Sequence, residues 1–341
     1  MSRFDLAAAI SPIVSEAIAD RVFPGAMIEV GCANGPLDTY AAGTLTYGPG
    51  SAPVGASTIY DLASLTKVLA TTALMAGEVA SGRVRLNDRV RHWIESWTGE
   101  ERQIVTLRDL LEHASGLPAH RKYYQSRRGR ASVELAICEE PLDYPPRTQS
   151  LYSDPGFMLL GFAIENAAGQ TLDAQFDRWR DRELGPDVEL RYRPGRNWLD
   201  RIAPTETTPD GDVRRGEVHD ENAAALGGVA AHAGLFGTAA AVGVSARWWM
   251  KSPSLALFSA KTTVPNSSRA LGWDTMLPTS SCGSRMSAGA IGHTGFTGTS
   301  LWIDPANDLY VVILTNRVHP TRDGDGIQDV RRAVHDAIFS L

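Results

Sequence analysis

Residues 60–76 read Tyr-Asp-Leu-Ala-Ser-Leu-Thr-Lys-Val-Leu-Ala-Thr-Thr-Ala-Leu-Met-Ala, and the remainder of the chain can be arranged around this segment. Between Leu65 and Gly77 the only charged residue is Lys67. A run this rich in Ala and Leu, apolar on nearly every side, predicts a helix buried in the middle of a domain. A lysine buried there costs free energy unless something needs it, so Lys67 is a candidate for a chemical role.

Ser64 lies three residues before Lys67, which places the two side chains on one helix face. It also falls near the predicted helix start, where free N–H groups and the helix dipole favour a developing negative charge. A hydroxyl beside a desolvated amine of lowered pKa is an activated nucleophile. The alternative interpretation is an N-cap serine with a lysine that reaches the surface. None of the other three lysines has a serine three residues before it.

The composition is that of an ordinary soluble globular protein. Of the 341 residues 43% are hydrophobic and 21% are charged, which allows one large domain or two interleaved ones. The net charge is −6, with both signs scattered along the chain. Because there is no basic stripe, the sequence argues against a nucleic-acid partner.

Cysteine usage and hydropathy predict a cytoplasmic protein. Cys32, Cys138 and Cys282 lie far apart without a Cys-x-x-Cys pair, which indicates a reducing compartment and no zinc knuckle. Residues 1–10 do not form a convincing signal peptide, because polar residues and a proline interrupt the apolar run. No stretch of about 18 apolar residues is present, so no membrane span is expected.

Helical spacing of apolar residues predicts a helix near each end of the chain, over residues 4–21 and 327–340. Two strands, 26–31 and 37–42, are predicted to form a hairpin through the Asn34-Gly35 turn. Residues 185–216 are rich in Pro, Gly, Asp and Arg, and predict an irregular excursion over the surface.

A further strand is predicted over residues 309–315. Strands from both chain ends, flanked by helices and separated by a helix-rich insert, predict an α+β fold with an antiparallel sheet. We expect residues 1–60 and 268–341 to form the sheet domain and residues 61–267 the helix-rich domain, with the active site between them.

A second group of polar residues, Tyr152-Ser153-Asp154, lies between the break at Tyr144-Pro145-Pro146 and an apolar helix predicted over 157–168. A loop held between two proline breaks can position polar side chains at a site. The alternative interpretation is a surface turn.

Two other polar groups favour structural interpretations. Ser115 lacks the flanking glycines of a Gly-x-Ser-x-Gly nucleophile, because His113 and Leu117 occupy those positions. It is therefore interpreted as a turn serine. The run His219-Asp220-Glu221 with His232 could suggest a metal site, but the spacing lacks a His-Glu-x-x-His pattern. A polar turn that bonds the backbone or lines a cleft is the preferred interpretation.

Three motifs occur in one order: Ser64-x-x-Lys67, Tyr152-Ser153-Asp154 and His293-Thr294-Gly295. Together they resemble the ordered motifs of serine β-lactamases and penicillin-binding proteins. The chain most resembles the class C-like branch, which also holds esterases and D-amino-acid peptidases. The flanking segments 110–118 and 292–298 match as well, and the likeness spans roughly residues 20 to 320.

The resemblance implies a role for each motif. Ser64 would attack a carbonyl and form an acyl-enzyme, while Lys67 would take its proton in concert with Tyr152. Tyr152 would then protonate the leaving group and help to activate water. The backbone N–H groups of Ser64 and Phe296 would form the oxyanion hole, in which one donor contributes on the order of 3 kcal/mol. Five residues would bind substrate or the oxyanion: Asp154, His293, Thr294, Gly295 and Phe296.

Two positions depart from the β-lactamase pattern. His293 stands where a lysine is usual, and a histidine is only partly charged near neutral pH. Asp154 stands where an asparagine is commoner, and it should raise the pKa of Lys67 or pair with His293. Both departures predict poor β-lactam hydrolysis and suit an amidase, esterase or peptidase.

The substrate is narrowed by one more resemblance. Residues 216–237 resemble a subgroup linked to the recycling of cell-wall fragments, which includes N-acetylmuramyl-L-alanine amidases. The sequence thus predicts a serine hydrolase for a small-molecule or peptide-like substrate, with no cofactor. The alternatives are a carboxylesterase of the same fold and, from another class, a catalytically silent binding protein. Intact Ser64, Lys67 and Tyr152 argue against the silent protein.

Overall fold

The computed structural model describes residues 5–208 and 210–341, so the start of the first predicted helix, at Phe4, lies outside the described residues. The described helices are α1 (Leu6–Ala19), α2 (Thr72–Ala80), α3 (Val90–Trp93), α4 (Leu107–Leu111), α5 (Arg130–Glu139), α6 (Asp154–Ala168), α7 (Leu172–Glu183), α8 (Glu221–Ala225), α9 (Ala239–Lys251), α10 (Leu255–Phe258) and α11 (Ile327–Ile338). The described strands are β1 (Gly25–Cys32), β2 (Gly35–Gly43), β3 (Tyr60–Asp61), β4 (Leu190–Tyr192), β5 (Leu235–Gly237), β6 (Asp274–Thr275), β7 (Ile291–Thr294), β8 (Ser300–Asp304) and β9 (Leu309–Thr315).

The main sheet is antiparallel and joins the two ends of the chain. Its strand order is β2-β1-β9-β8-β7-β6, so the predicted N-terminal hairpin pairs directly with the last strand. In that pairing Ile28 lies opposite Ile313. The α+β fold with a sheet built from both chain ends and a helix-rich insert is confirmed.

Alternate residues of the central strands serve two different cores. Val311 and Ile313 of β9 face the core that also contains α1 and α11, whereas Val312 and Leu314 face the larger core beneath α9. A strand alternates its side chains between two faces, and here both faces are covered by helices. This is why β9 is apolar without interruption.

A small second sheet connects the helix-rich part to the candidate site. Its strand order is β3-β5-β4, and Asp61 of β3 lies opposite Phe236 of β5. Helix α9 lies within the segment assigned to the helix-rich domain but packs against β1, β8 and β9 of the main sheet. The division of the chain into two domains stays a prediction.

The helix predicted to start at Ser64 becomes regular later than expected. Residues Ala63–Leu65 form one 3-10 turn, and Lys67–Thr71 form a π-helical segment before α2 begins at Thr72. π-Helical segments are found frequently at functional sites. Over residues 5–208 and 210–341, the chain contains no helix with the length and apolar character needed to span a membrane.

Candidate active site

Ser64 and Lys67 are in contact, as their spacing predicted. The Lys67 ammonium donates a hydrogen bond of 3.0 Å to Ser64 Oγ. Lys67 is completely buried, and the residue before Ser64, Ala63, has a left-handed φ of 45°. An L-residue held in that region stores strain of the kind that clusters at active sites. The interpretation of Lys67 as a surface lysine is therefore wrong.

Lys67 has an acceptor for each of its three N–H groups. Besides Ser64 Oγ, Nζ bonds Asp154 Oδ1 at 2.8 Å and the carbonyl oxygen of His232 at 3.2 Å. Burial by itself would lower the pKa of Lys67, but the negative charge of Asp154, together with hydrogen bonding to Asp154 and Tyr152, outweighs burial, so the pKa is raised. Lys67 therefore rests as an ammonium, and the expectation of an amine with lowered pKa is wrong.

Asp154 is held at the start of a helix by its neighbour. Ser153 is the N-cap of α6, and its Oγ accepts the N–H of Gly156 at 3.0 Å. Burial acts to raise the pKa of Asp154, but Lys67 and His120 lower it further than burial raises it. The sequence analysis expected Asp154 either to raise the pKa of Lys67 or to pair with His293. Asp154 pairs with Lys67 and raises its pKa, and it does not pair with His293.

Tyr152 lies beside the catalytic pair, with Lys67 Nζ 4.7 Å from the centroid of its ring. Burial raises the pKa of the Tyr152 phenol, and the positive charge of Lys67 opposes that rise. Tyr152 therefore rests as a neutral phenol. The structure brings Ser64, Lys67 and Tyr152 together, and their catalytic roles stay predictions.

His113 positions Tyr152, and the sequence analysis did not identify it. Its ring centroid lies 4.7 Å from that of Tyr152, and its Nδ1 accepts the N–H of Ser153 at 3.0 Å. His113 also has a left-handed φ of 55°. Burial lowers its pKa well below the usual range, so the ring is neutral. The only indication of His113 in the sequence was that segment 110–118, which contains it, resembles the corresponding segment of the β-lactamase-like family.

The third motif lies at the end of β7 and closes against the turn that carries Ser64. Thr297 Oγ1 donates to the Asp61 carbonyl at 2.7 Å, and Thr299 Oγ1 donates to the Leu62 carbonyl at 3.1 Å. A Cβ on Gly295 would lie 2.6 Å from the Leu62 carbonyl oxygen, so this close approach requires glycine. Among the described residues the Phe296 N–H has no hydrogen-bond acceptor, which leaves it available for an oxyanion.

His293 is uncharged, which differs from the expected partial charge. Its Nδ1 donates to the Thr294 carbonyl at 2.8 Å, so Nε2 is an acceptor. Burial, together with the nearby charges of Lys67 and Arg269, lowers the pKa of His293 to about 3. Nε2 is buried and has no partner among the described residues. The motif therefore presents a hydrogen-bond acceptor where β-lactamases have a cation.

Arg269 places a cation in the cleft beside the uncharged His293, and sequence reasoning missed it. Its guanidinium carbon lies 5.2 Å from the centroid of the Tyr152 ring. It lines a cleft of about 440 Å³ together with Ser64, Tyr152 and His293. Within residues 5–208 and 210–341, the Arg269 side chain has no carboxylate partner and no hydrogen bond. Arg269 lies two residues before Leu271-Gly272-Trp273, and a loop arginine in isolation predicts no site.

The polar residues of segment 216–237 have protein partners. His219 N donates to Asp61 Oδ2 at 2.7 Å, and Asp220 Oδ1 accepts from His232 Nε2 at 2.9 Å. Glu221 pairs with Arg322. In the described part of the chain, no three His, Cys, Asp or Glu side chains form a group that could hold a metal ion.

Asp61 joins this segment to the nucleophile turn and was also missed. Its Oδ1 accepts the Ala63 N–H at 2.9 Å while Oδ2 accepts from His219. Burial raises its pKa to about 6, with those two N–H donors opposing the rise. Asp61 therefore fixes the residue directly before Ser64.

Comparison with known proteins connects this geometry to a family. A family model described as Beta-lactamase matches residues 12–336. A "Putative D-alanyl-D-alanine carboxypeptidase" of Escherichia coli (strain K12) is 32% identical over 334 residues, covering 84% of this chain and 74% of the relative. The "N-acetylmuramyl-L-alanine amidase" of Bacillus subtilis (strain 168) is 32% identical over 308 residues, covering 77% of this chain and 68% of the relative.

Solved structures share the fold at low sequence identity. A class C beta lactamase superposes with a TM-score of 0.81 at 15% identity, covering 100% of this chain and 99% of the other. EstCE1, described as a hydrolase with promiscuous acyltransferase activity, superposes with a TM-score of 0.78 at 19% identity, covering 98% of each chain.

Proposed function

The chain belongs to the Beta-lactamase family and is a serine hydrolase; we propose that it cleaves the amide bond between an acyl group and an amino acid whose carboxylate is free. The favoured substrate is N-acetylmuramyl-L-alanine, in which a lactyl acyl group is joined to L-alanine. A peptide ending in D-alanyl-D-alanine has the same chemical feature and is the second candidate.

One observation carries this proposal: the guanidinium of Arg269 lies in the cleft of Ser64, and no carboxylate among the described residues neutralises it. A half-buried cation in a cleft is matched by an anionic group on a ligand. Arg317 and Arg331 line the same cleft but are engaged with backbone carbonyls, at Phe296 and Gly295 respectively. Arg269 is therefore the arginine assigned to the substrate carboxylate.

The chemistry starts with the loss of one proton from the group formed by Ser64, Lys67 and Tyr152. In the resting state Lys67 is an ammonium and Tyr152 a phenol, so the reactive form carries one proton fewer. Ser64 Oγ then bonds to the carbonyl carbon while its proton passes to Lys67 or Tyr152. The N–H groups of Ser64 and Phe296 face the oxygen that gains charge.

Collapse of this intermediate breaks the C–N bond. The nitrogen takes a proton from Tyr152, and the amino acid leaves with its carboxylate at Arg269. Water, deprotonated by the same group, attacks the acyl-enzyme, and the acid product leaves as Ser64 recovers its proton. No step requires a cofactor, because every proton is donated and accepted by these three side chains or by water.

The test uses purified protein with N-acetylmuramyl-L-alanine and its carboxamide analogue, N-acetylmuramyl-L-alaninamide. We expect release of L-alanine, lost in Ser64→Ala and retained in Ser115→Ala. We expect Arg269→Gln to raise KM for the carboxylate by about tenfold or more, since a charge-assisted contact is removed. The same variant should leave the slower cleavage of the amide analogue unchanged.

Two results would contradict the proposal. Cleavage of short-chain esters alone would indicate a carboxylesterase. Equal effects of Arg269→Gln on the carboxylate substrate and on its carboxamide analogue would show that Arg269 does not bind the substrate carboxylate. Labelling with a fluorophosphonate, read as intact mass, tests Ser64 separately: an adduct that persists in Ser64→Ala would assign the nucleophile elsewhere.

We place the reaction in the cytoplasm. Support comes from the three cysteines, which are all free thiols although Cys138 and Cys282 are buried inside the fold. Unpaired cysteines suit a reducing compartment. Fractionation of the source cells with an antibody to the protein tests this, and recovery outside the cytoplasmic fraction would overturn it.

A further inference from the structure

A second cavity, of about 570 Å³, lies along the glycine-rich start of segment 216–237. None of the residues that line it lines the catalytic cleft. Its volume falls in the range typical of small-molecule sites. Three stretches of chain meet there: residues 121–130, which include four arginines, the irregular excursion 185–216 and residues 216–228.

The cavity combines a partly apolar lining with arginines. Val218 and Phe236 are buried, and Tyr124 is half-buried beside them. Arg128 and Arg214 come from two different stretches of chain and both line the cavity. Aromatic and aliphatic side chains with a few convergent charged groups are the usual composition of a ligand site.

The charges of the lining do not cancel. Arg128 donates to the carbonyls of Tyr124 and Arg127, and Arg214 donates to the carbonyl of His219 at 3.4 Å. Neither has a carboxylate partner in the described part of the chain.

The cavity lining has three further charged residues, Arg193, Glu217 and Glu221. Arg193 pairs with Asp173, and Glu221 pairs with Arg322. Glu217 is an exposed acid on the lining. Arg128 and Arg214, whose partners among the described residues are backbone carbonyls and no carboxylate, therefore share the lining with one exposed carboxylate, and the net charge of the lining is positive.

We propose that this cavity binds a small organic anion, with one phosphate or carboxylate between Arg128 and Arg214 and a flat apolar part against Tyr124 and Phe236. A planar guanidinium matches either acid group in a bidentate manner. The site is separate from the catalytic cleft, so it holds whether or not the proposed amidase substrate is right.

Isothermal titration of the full-length protein with phenyl phosphate tests the site, and benzyl alcohol is the neutral control. We expect saturable binding of phenyl phosphate with a Kd of about 1 mM or below, and none of benzyl alcohol. Arg128→Ala and Arg214→Ala should each raise the Kd by about tenfold or more. Arg269→Ala, in the catalytic cleft, should leave it unchanged.

The variants remain informative because Arg128 is exposed and its removal leaves the core intact. Fluorophosphonate labelling of Ser64 verifies that each variant is folded. Absence of saturable binding up to about 10 mM would overturn the proposal. So would binding that is weakened by Arg269→Ala and not by Arg128→Ala or Arg214→Ala, since the anion would then occupy the cleft.

Discussion

Asp154 sets the charge of the candidate catalytic lysine. Its carboxylate lies 2.8 Å from Lys67 Nζ in a place where water does not screen the pair, so the ammonium is favoured over the amine. An asparagine of the same shape would keep a hydrogen bond and remove the charge. Whether this position is aspartate or asparagine therefore determines what fraction of the enzyme has lost the proton that the reaction requires to be absent.

We expect Asp154→Asn to move the acidic limb of the kcat/KM profile to lower pH. The carboxylate raises the pKa of Lys67, and the base form exists only above that pKa, so removing the carboxylate makes the base available at lower pH. The measurement is kcat/KM against pH for both proteins. Ser126→Ala, at an exposed position, is the control. If the acidic limb does not move in Asp154→Asn, Asp154 does not set the pKa of the catalytic base.

We expect the rate of β-lactam hydrolysis to depend on Asp154 as well. Because Arg269 also lies in this cleft, the neutrality of His293 does not by itself predict poor β-lactam hydrolysis. We still expect the wild-type protein to turn over nitrocefin far more slowly than a β-lactamase, because Lys67 is kept protonated. Rapid nitrocefin turnover by the wild-type protein at neutral pH would show this to be wrong.

At the scale of elements, the site depends on the contact between the β7–β8 turn and the turn that carries Ser64. Two threonine hydroxyls reach across to carbonyls of residues 61 and 62, and Gly295 leaves the space for that approach. Ser64 and Phe296 line the same cleft, and we expect this contact to hold the Phe296 N–H in position for an oxyanion. The motif His293-Thr294-Gly295 is therefore a packing requirement as well as a chemical one.

Replacing Gly295 by alanine should separate the two turns. The new Cβ would lie 2.1 Å from Thr299 Oγ1 and 2.6 Å from the Leu62 carbonyl, and backbone atoms there cannot simply rotate away. We expect kcat/KM to fall by about 100-fold, as for other small misplacements of reacting groups, with a loss of stability of about 1–3 kcal/mol.

Gly289 offers a matched control, because an added Cβ there would meet only Ser287 Oγ at 3.8 Å. Kinetics and thermal unfolding of Gly295→Ala and Gly289→Ala check the expectation. Equal activity of the two variants would mean that the turn contact does not set the geometry of the site.

At the scale of the whole molecule, the last helix, α11, supports a site whose proposed nucleophile, Ser64, lies far away in the sequence. Arg331 of α11 is only 2% exposed and donates to the carbonyls of Gly295 and Thr299, at 3.1 and 2.7 Å. Burial, with the charge of Arg317, lowers its pKa to about 9. Both chain ends, through α1, α11 and the main sheet, thus brace the turn that follows β7.

We expect Arg331→Met to lower both the melting temperature and kcat/KM. It removes the charged donor from the Gly295 and Thr299 carbonyls, which keep only their backbone donors, and a hydrogen bond to a charged group contributes about 1.5–3 kcal/mol. Arg285→Met, at an exposed position, is the matched control and should change neither. Circular dichroism melts with the L-alanine release assay measure both. A variant with a lower melting temperature and full activity would limit Arg331 to a structural role.

Much of this architecture follows from sequence pattern alone. The bounds of β9 are those predicted, since its apolar run and turn residues are local signals, and α1 and α11 follow from apolar residues at helical spacing. The Ser64–Lys67 contact was also predictable, because it needs only a separation of three residues on a helical turn. The order of the three motifs allowed the fold to be recognised.

Other features were decided only by the tertiary structure. The charge of Lys67, the neutrality of His293 and the free guanidinium of Arg269 all depend on which groups are buried together, and burial is a property of residues distant in sequence. His113 and Asp61 act through contacts 40 and 158 residues away. Sequence specifies the side chains, but the local dielectric and the partners that set their pKa values arise only when the chain folds.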